Sequence, residues 1–368
     1  MKHSILLIIP LLVMSCYNSR NKSIASEEIV FGDGTKSEAI QSRISDISYL
    51  SLETNDSTMF SVANKVLFRD GVIYLGDYTN GRICVFDSKG KCNYVINSQG
   101  RGPGEYIMIQ SFTVDDLFID VMDLMQKKLF RYDKKSGHFS ESLDLTVYAH
   151  DIEALGNGDF IFNYAPLEGA GKPAGQSLHR VFITDSKLKI KNRMIEYSEG
   201  KHDLIGGLHY FSTSDDRISL FSYQDDSYYV FDRQDGRLLE KVHIAFSNPI
   251  PEGFKSDMSS LSSGYSFIIS SPFFCKNYVS FMAKVGEGGG LYEYDFVNDT
   301  LFSNSEHETG CFLFNIVGTY EGVLVGLFNN SSTFYDAIVE NKGFKKADPA
   351  SEAAILKDDP VLLFYALK

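Results

Sequence analysis

Positive charge is scarce in this sequence of 368 residues. Lysine and arginine number 35, against 48 aspartate and glutamate residues, which leaves a formal net charge of −13. A protein that binds the phosphate backbone of nucleic acids needs a positive footprint that releases counterions. The charge balance therefore predicts that nucleic acid is not a partner of this protein.

Long apolar runs are also missing. Beyond the first 15 residues no stretch of 18 apolar residues occurs, which is about the length that a helix needs to cross a bilayer. Apolar residues nevertheless make up 43% of the chain, too much for a disordered protein and enough for a core. We therefore expect a globular body that no helix anchors in a membrane.

Cysteine is rare, with five residues and no C-x-x-C pair. The zinc and redox motifs that use this spacing are therefore absent. Cys84 and Cys92 flank one predicted hairpin, where they could form a disulfide or stay as buried free thiols. With Cys275 and Cys311, the four internal cysteines allow three pairings.

The N-terminus carries an export pattern. Lys2 and His3 precede a short apolar run over residues 5–14, which is too short to span a bilayer and is typical of a signal peptide. The run ends in Val13-Met14-Ser15-Cys16, which resembles the lipobox of bacterial lipoproteins. This resemblance implies a signal peptide over 1–15, acylation of Cys16 and a lipidated tether over 16–44. The alternative is a plain secretory signal with an incidental cysteine.

The lipobox resemblance also implies a location. Lipoprotein sorting retains proteins with Asp after the acylated cysteine in the inner membrane, whereas here Tyr17 follows Cys16. We therefore expect an outer-membrane lipoprotein of the cell envelope that faces the periplasm and touches the membrane through its lipid alone. The covalent lipid is the only prosthetic group that we expect.

Two sets of turns recur between short strands rich in valine, isoleucine, phenylalanine and tyrosine. The first set has an aspartate acceptor, at Asp87, Asp133, Asp185, Asp232 and Asp295, in steps of 46, 52, 47 and 63 residues. The second set consists of six hairpin turns, at 70–71, 115–116, 157–158, 215–216, 277 and 321–322. Two turns in each unit imply at least three strands, and the stretch that leads to the next unit supplies a fourth.

This arrangement is typical of a propeller blade. The 324 residues from Ser45 onward divide into six units of 54 residues, whereas seven or eight blades would need shorter steps. WD40 blades carry a Trp-Asp signature, and this chain has no tryptophan. A two-sheet sandwich is the alternative, but it gives no reason for two turn sets in step. The sequence thus predicts an all-β, six-bladed propeller of four-stranded blades over residues 45–368.

One unit resembles a known repeat. Asp77, Asn80, Arg82-Ile83, Phe86-Asp87 and Gly90 follow the D-x-x-N-x-R-I-x-x-F-D-x-x-G pattern of NHL-type repeats. Together with the Gly100-Arg101-Gly102-Pro103-Gly104-Glu105-Tyr106 segment, the Cys16 lipobox and residues 359–368, the chain resembles the NHL-like or TolB-like six-bladed β-propeller lipoproteins of Gram-negative envelopes over residues 27–368. Most of those proteins have no assigned activity, so the resemblance implies architecture and location but no chemistry.

A propeller must close its ring, because open edge strands on the first and last blades would pair with other chains. Residues 45–53 alternate like a strand but precede the first complete blade. We therefore assign them as the outer strand of blade six, with inner strands within 314–328 and the third strand at 361–367. Residues 332–340 have a serine cap and helical spacing, which predicts a short helical insertion near the C-terminus.

Motifs for catalysis are absent. The sequence has no G-x-S-x-G, H-E-x-x-H, Walker A or EF-hand pattern. The turn with Arg101, Gly102 and Gly104 could bind an anion through its N–H groups, but a structural turn between blades, with Glu105 paired to Arg101, explains it better.

Propeller ligands generally bind at the mouth of the central channel, where the innermost strands begin. The residues predicted at those starts are Asn64, Gln110, His150, His209, Tyr210, Tyr265 and Asn315. We expect His150, His209 and Tyr210 to lie together at one end of the disc. This polar and aromatic set suits a sugar-like or peptide ligand as well as a water-lined channel. Asn64, His150, Asp151 and Asn315 could bind a metal ion, but they do not form a coherent ligand set, so we assign no metal.

Two functions are consistent with these patterns. The first is a non-enzymatic binding or scaffold module of the envelope, with a protein or a glycan as its partner. The alternative is a metal-dependent hydrolase or lyase that works at the channel mouth. Convergence of at least three metal-binding groups in the channel would favour the enzyme.

Overall fold

The first three strands lie outside the first blade and join later ones. A computed structural model describes residues 25–31, 37–167, 175–205, 209–303, 315–328, 335 and 346–368. Its N-terminal elements are β1 (Ala25–Phe31), β2 (Ser37–Ala39), a 3-10 helix (Ile40–Arg43) and β3 (Ile44–Ser51).

Each of blades one to four forms an antiparallel sheet of four consecutive strands. Blade one contains β4 (Lys65–Arg69), β5 (Val72–Asp77), β6 (Arg82–Phe86) and β7 (Cys92–Ile96). Blade two contains β8 (Ser111–Val114), β9 (Phe118–Asp123), β10 (Lys128–Asp133) and β11 (Phe139–Asp144). Blade three contains β12 (Asp151–Ala154), β13 (Phe160–Asn163), β14 (His179–Thr184) and β15 (Ile190–Glu196). Blade four contains β16 (Phe211–Thr213), β17 (Arg217–Ser222), β18 (Ser227–Asp232) and β19 (Leu238–Phe246).

The last two blades are less regular. Two 3-10 helices, Glu252–Phe254 and Met258–Ser262, precede blade five. That blade contains β20 (Phe267–Ile268), β21 (Phe273–Cys275), β22 (Tyr278–Val285), β23 (Gly288–Asp295) and β24 (Thr300–Ser303). Blade six contains β25 (Ile316–Tyr320), β26 (Val323–Phe328) and β27 (Val361–Leu367), with helix α1 (Pro349–Ile355) inserted before β27.

The ring closes as the sequence predicts. β3 pairs antiparallel with β27, with Ile47 opposite Tyr365, and so forms the outer strand of blade six. The N-terminus and C-terminus of the propeller therefore share one sheet. The prediction of a six-bladed propeller closed by an N-terminal strand is confirmed, and its blades are mostly four-stranded, since blades four and five have further strands.

The segment expected to be a tether takes part in the fold. β1 pairs in parallel with β19, with Ile29 opposite Ile244, and β2 pairs in parallel with β24. Ile29 and Phe31 are buried whereas Val30 is 67% exposed, the alternation of a strand with one face on a core. Strand structure thus begins before residue 45, and the N-terminal segment joins blades four, five and six.

The aspartates of the first turn set act as predicted. Asp87 Oδ1 accepts a hydrogen bond from the Lys89 N–H at 2.8 Å. Asp232 Oδ1 does the same for Gln234 N–H at 2.8 Å. In the second set, Asp70 and Gly71 have φ angles of 53° and 73°, the left-handed pair that a tight hairpin turn needs.

The core is divided among the blade interfaces. Six hydrophobic clusters lie between consecutive blades in the described parts of the chain. The cluster between blades five and six includes Ile40, Ile44 and Ile47 from the N-terminal segment and Ile355 from α1. Burial of these apolar side chains is the main force that holds the blades together.

Helix α1 confirms a short helix near the C-terminus. Asp348 caps it by accepting hydrogen bonds from the N–H groups of Ala350 at 3.0 Å and Ser351 at 3.1 Å, as an N-cap aspartate does. The helix predicted over 332–340 lies outside the described residues apart from Tyr335, which is buried. In the portions of the chain that the structure describes, no helix combines the length and apolarity that a membrane span requires.

Candidate functional site

The innermost strands begin at one end of the central channel, and most of the predicted mouth residues stand there. Asn64, Gln110, His150, Tyr210 and Asn315 directly precede β4, β8, β12, β16 and β25. The backbone N–H groups of Asn64, Gln110 and His150 donate to the second strand of their own blades at 2.9, 2.8 and 2.7 Å. The ladder of each blade therefore holds these residues in place at the mouth.

Tyr265 lies elsewhere. The innermost strand of blade five is interrupted between β20 and β21, and β21, not β20, packs against the innermost strands of its neighbours. Tyr265 precedes β20 and packs in the cluster between blades four and five. Ser271 stands nearer the mouth, where its hydroxyl donates to the Tyr210 carbonyl at 2.7 Å. No sequence pattern marks this interruption of the strand.

A buried ionic network closes the mouth end of the channel. The Lys65 ammonium lies 2.8 Å from Asp151 Oδ1 and 2.8 Å from Glu153 Oε1. The side chains of all three residues are at most 3% exposed. Burial opposes the charge of Lys65, yet the two carboxylates raise its pKa above the ordinary value. Lys65 is therefore charged and pairs with both carboxylates inside the protein.

Asp151 ties four blades together. Ser111 of blade two donates to its Oδ1 at 2.6 Å, while its Oδ2 accepts from the N–H groups of Tyr210 and Phe211 in blade four at 2.7 and 2.8 Å. Burial would raise the pKa of Asp151, but Lys65 and these donors hold it below the ordinary value. An aspartate with so many partners is a structural anion and not a free base.

His209 crosses the channel mouth. Its Nδ1 lies 3.1 Å from the Asn64 carbonyl oxygen in blade one, although His209 itself precedes blade four. Burial lowers the pKa of His209, so the ring is neutral and Nδ1 is the protonated nitrogen that donates. His209 shares the mouth with His150 and Tyr210, but its ring turns towards Asn64.

Three of the possible metal ligands each form a hydrogen bond to a different group of the protein. Asn64 Oδ1 accepts from the Tyr78 N–H at 2.8 Å, His150 Nδ1 accepts from the Ala165 N–H at 3.0 Å, and Asn315 Nδ2 donates to the Leu327 carbonyl at 3.3 Å. In the described part of the chain, no three histidine, cysteine or carboxylate side chains are placed to hold a metal ion. The convergence that would favour a hydrolase is thus not found among those residues.

An aromatic cluster beside the mouth is formed by residues of blade three and by Tyr210, which precedes blade four. The His150 ring centroid is 5.4 Å from that of Tyr164, 5.6 Å from that of Tyr148 and 6.1 Å from that of Tyr210. Tyr197 extends the cluster, 5.8 Å from Tyr164. We call these five residues the mouth cluster. Tyr148, His150 and Tyr197 are half-buried, whereas Tyr164 and Tyr210 are buried.

The histidine of the mouth cluster is uncharged at neutral pH. Burial lowers the pKa of His150 to about 4, so its ring is a neutral imidazole. The sequence located His150 and Tyr210 through the start of their strands. It missed Tyr148, Tyr164 and Tyr197, although Tyr148 lies two residues before His150 and an extended backbone would place both on one side.

The glycine-rich turn is a joint between blades one and two. Glu105 Oε2 accepts from the Gly102 N–H at 2.7 Å, and the Tyr132 hydroxyl donates to the Gly104 carbonyl at 2.8 Å. A side chain at Gly104 would meet the Phe139 ring at 2.6 Å. The Glu105 carboxylate thus already accepts the Gly102 N–H group that could have bound an external anion. It pairs with this N–H group and not with the exposed Arg101.

The described cysteines are free thiols. Cys84, Cys92 and Cys275 form no disulfide, so the hairpin pairing of Cys84 with Cys92 is wrong. Burial raises the pKa of Cys84 to about 12, which leaves it unreactive. Cys16 and Cys311 lie outside the described residues.

Comparison with known proteins adds the family and the fold. The family model DUF5128, a 6-bladed beta-propeller, matches residues 18–267. A Bacteroides fragilis protein inferred to be exported has a similar solved structure, with 17% identity and a TM-score of 0.74 over 93% of this chain and 99% of that one. A Bacteroides vulgatus member of the DUF4221 family has 11% identity and a TM-score of 0.53 over 88% and 97%. No curated protein matches the chain.

Proposed function

Because the chain belongs to the DUF5128 family of six-bladed β-propellers, we propose that it is an exported, lipid-anchored binding module of the cell envelope that binds a glycan at its mouth cluster. The observation that carries this proposal is the mouth cluster itself, in which the half-buried rings of Tyr148, His150 and Tyr197 each have their centroid within 6.3 Å of that of the buried Tyr164 ring. Rigid elements that present such residues are suited to recognition.

Export and anchoring are supported by the N-terminal sequence. The apolar run over 5–14 and the Val13-Met14-Ser15-Cys16 segment fit a lipoprotein signal. The Bacteroides fragilis protein of similar fold is itself inferred to be exported. Acylated Cys16 would hold the propeller at the outer membrane, with its binding surface in the periplasm.

A glycan suits the chemistry of the mouth cluster better than a charged partner does. Tyrosine and neutral histidine rings offer apolar faces for the C–H surface of a sugar, and their hydroxyl and imidazole groups can bond to sugar hydroxyls. The neighbouring charged groups of Lys65, Asp151 and Glu153 are buried and paired with one another, so they are not exposed to an ionic ligand.

A catalytic role has less support. A general base or metal ligand needs a free lone pair in reach of the substrate. At this mouth Asp151 is bound by Lys65, Ser111 and two backbone N–H groups. The same groups that could catalyse a reaction instead hold the blades together.

The proposal is tested on a glycan array with the full chain, followed by titration calorimetry with the best oligosaccharide. The double variant Tyr148→Ala/Tyr197→Ala should weaken binding at least about fivefold, because it removes two stacking faces. The matched control is Tyr294→Ala, a half-buried tyrosine of blade five. Absence of any bound glycan, or equal loss in the control, would contradict the proposal.

A further inference from the structure

A cavity extends along the central channel from the mouth to the opposite end. It has a volume of about 200 Å³ and extends from Lys65 and His209 to Asp70 and Asp215. Leu67, Phe211, Phe273 and Val317 form an apolar part of its wall, and the rest of the wall is polar or charged. It adjoins a cleft of about 620 Å³, and the two share Arg69, Asp70, Asp215 and Arg233.

Arg69 lines this cavity with an unsatisfied donor. Its side chain is 11% exposed, and its Nη1 donates to the Phe68 carbonyl at 2.9 Å. Its Nη2 is buried and has no hydrogen-bond partner within the described ranges. Glu153 Oε2 lies 3.7 Å from Nη2, which is too far for a hydrogen bond. A buried donor of this kind costs free energy until an acceptor reaches it.

Arg233 adds a second positive charge beside the first. Its Nη1 donates to the backbone carbonyls of Ser214 at 3.3 Å and Asp215 at 3.1 Å. No carboxylate oxygen lies within 4.0 Å of its guanidinium among the residues with described positions. Burial, followed by the charge of Arg233, lowers the pKa of Arg69 to about 10. The charge of Arg233 therefore opposes that of Arg69, although the Asp70 carboxylate interacts with both guanidinium groups.

We propose that Arg69 and Arg233 form a binding site for the carboxylate of a small organic anion, whose body fills the apolar part of the cavity. A guanidinium binds a carboxylate with two parallel hydrogen bonds, and the anion would satisfy Nη2 of Arg69 and relieve the repulsion. The site lies at the far end of the channel from the mouth cluster and does not depend on glycan binding there.

The rim favours a singly charged ligand. Asp70 pairs with Lys134 at 2.8 Å, and Asp215 is exposed at the edge of the cavity. These carboxylates would repel a phosphate dianion more strongly than a carboxylate. The carboxylate could come from a sugar acid or from the end of a peptide, and both present the same planar group.

Titration calorimetry on the full chain distinguishes these sources. D-Glucuronate and N-acetylalanine supply the carboxylate, D-glucose and N-acetylalaninamide are their neutral counterparts, and inorganic phosphate is the dianion. At least one carboxylate should bind, its neutral counterpart should not, and phosphate should bind more weakly. Failure of both carboxylates to bind below about 10 mM, equal binding of the neutral compounds, or tighter binding of phosphate would overturn the proposal.

Two matched variants locate the site. Arg233→Gln removes one guanidinium and should weaken carboxylate binding at least about tenfold. Arg237→Gln removes the same charge from the same turn, but Arg237 is exposed and pairs with Asp232 at 3.2 Å, so binding should stay within about twofold. Equal weakening in both variants would show an effect of net charge alone and would overturn the assignment. Loss of glycan binding in Tyr148→Ala/Tyr197→Ala, with carboxylate binding unchanged, keeps the two sites distinct.

Discussion

Lys65 of blade one and Asp151 of blade three form a 2.8 Å ion pair across the channel mouth. The pair reaches past blade two, whose Ser111 hydroxyl donates to the same carboxylate oxygen. Because both side chains are buried, each charge depends on the other to offset its lost hydration. The ring of blades is thus joined at its axis by electrostatics as well as by the apolar interfaces.

Removing Lys65 should therefore be costly. Lys65→Met leaves Asp151 and Glu153 buried without a cation, and we expect the free energy of unfolding to fall by about 3–5 kcal/mol. Guanidinium chloride unfolding measures this loss. Lys134→Met is the control, because Lys134 pairs with the exposed Asp70 and should cost less than about 1 kcal/mol. Equal losses in the two variants would show that the buried pair does not stabilise the fold.

The closing strand gives a second prediction. Ile47 of β3 is fully buried between blades five and six, so Ile47→Ala should destabilise the protein by about 2–5 kcal/mol through lost burial and a cavity. The control Val30→Ala lies in β1, where the side chain is 67% exposed, and should change stability by less than about 1 kcal/mol. A loss at Ile47 no larger than that at Val30 would contradict closure by β3.

The neutral His150 predicts a pH dependence. Its pKa is about 4 in the folded state and about 6.5 when unfolded, so the unfolded state takes up the proton first. The contribution of neutral His150 to the free energy of unfolding is fully present above about pH 6.5. It is lost as the pH falls towards 4, by at most about 3 kcal/mol. His150→Asn should remove that part of the slope between pH 7 and 4.5. NMR titration checks the pKa directly, and a midpoint above 6 would contradict the burial argument.

Lipidation of Cys16 gives a fourth prediction. Cys16→Ala should abolish incorporation of labelled palmitate and move the protein from the membrane fraction to the soluble envelope fraction. Cys84→Ala, which changes a buried thiol in blade one, should leave labelling unchanged. Labelling that persists in Cys16→Ala, or that is absent from the natural chain, would contradict the assignment.

Much of the fold could be predicted from sequence because local chemistry repeats with the blades. Asp87 and Asp232 bind backbone N–H groups in equivalent turns, and Asp70-Gly71 marks a hairpin by its own backbone preference. The parallel strand β1 could not be predicted in this way. Its Ser26, Glu27 and Glu28 are exposed and polar, so only Ile29 and Phe31 carry its pattern.

The sites depend on contacts that no local pattern records. Lys65 and Asp151 are 86 residues apart in sequence, and each looks like an ordinary surface residue at the start of a strand. Arg233 follows one of the recurring turn aspartates and is distinguished only by the cavity that it lines. Mouth positions could be predicted where strand starts were regular, as at His150, but not in blade five, where the strand is interrupted.

Photocrosslinking in the cell tests directly whether a glycan binds at the mouth cluster. The full-length protein carries p-benzoylphenylalanine in place of Tyr148 of the mouth cluster or, in a second strain, in place of Tyr294 of blade five. We expect a crosslinked, glycan-containing product at Tyr148 and none at Tyr294. Crosslinking at Tyr294 alone, equal crosslinking at both positions, or no product at Tyr148 would contradict binding of a glycan at the mouth of the channel.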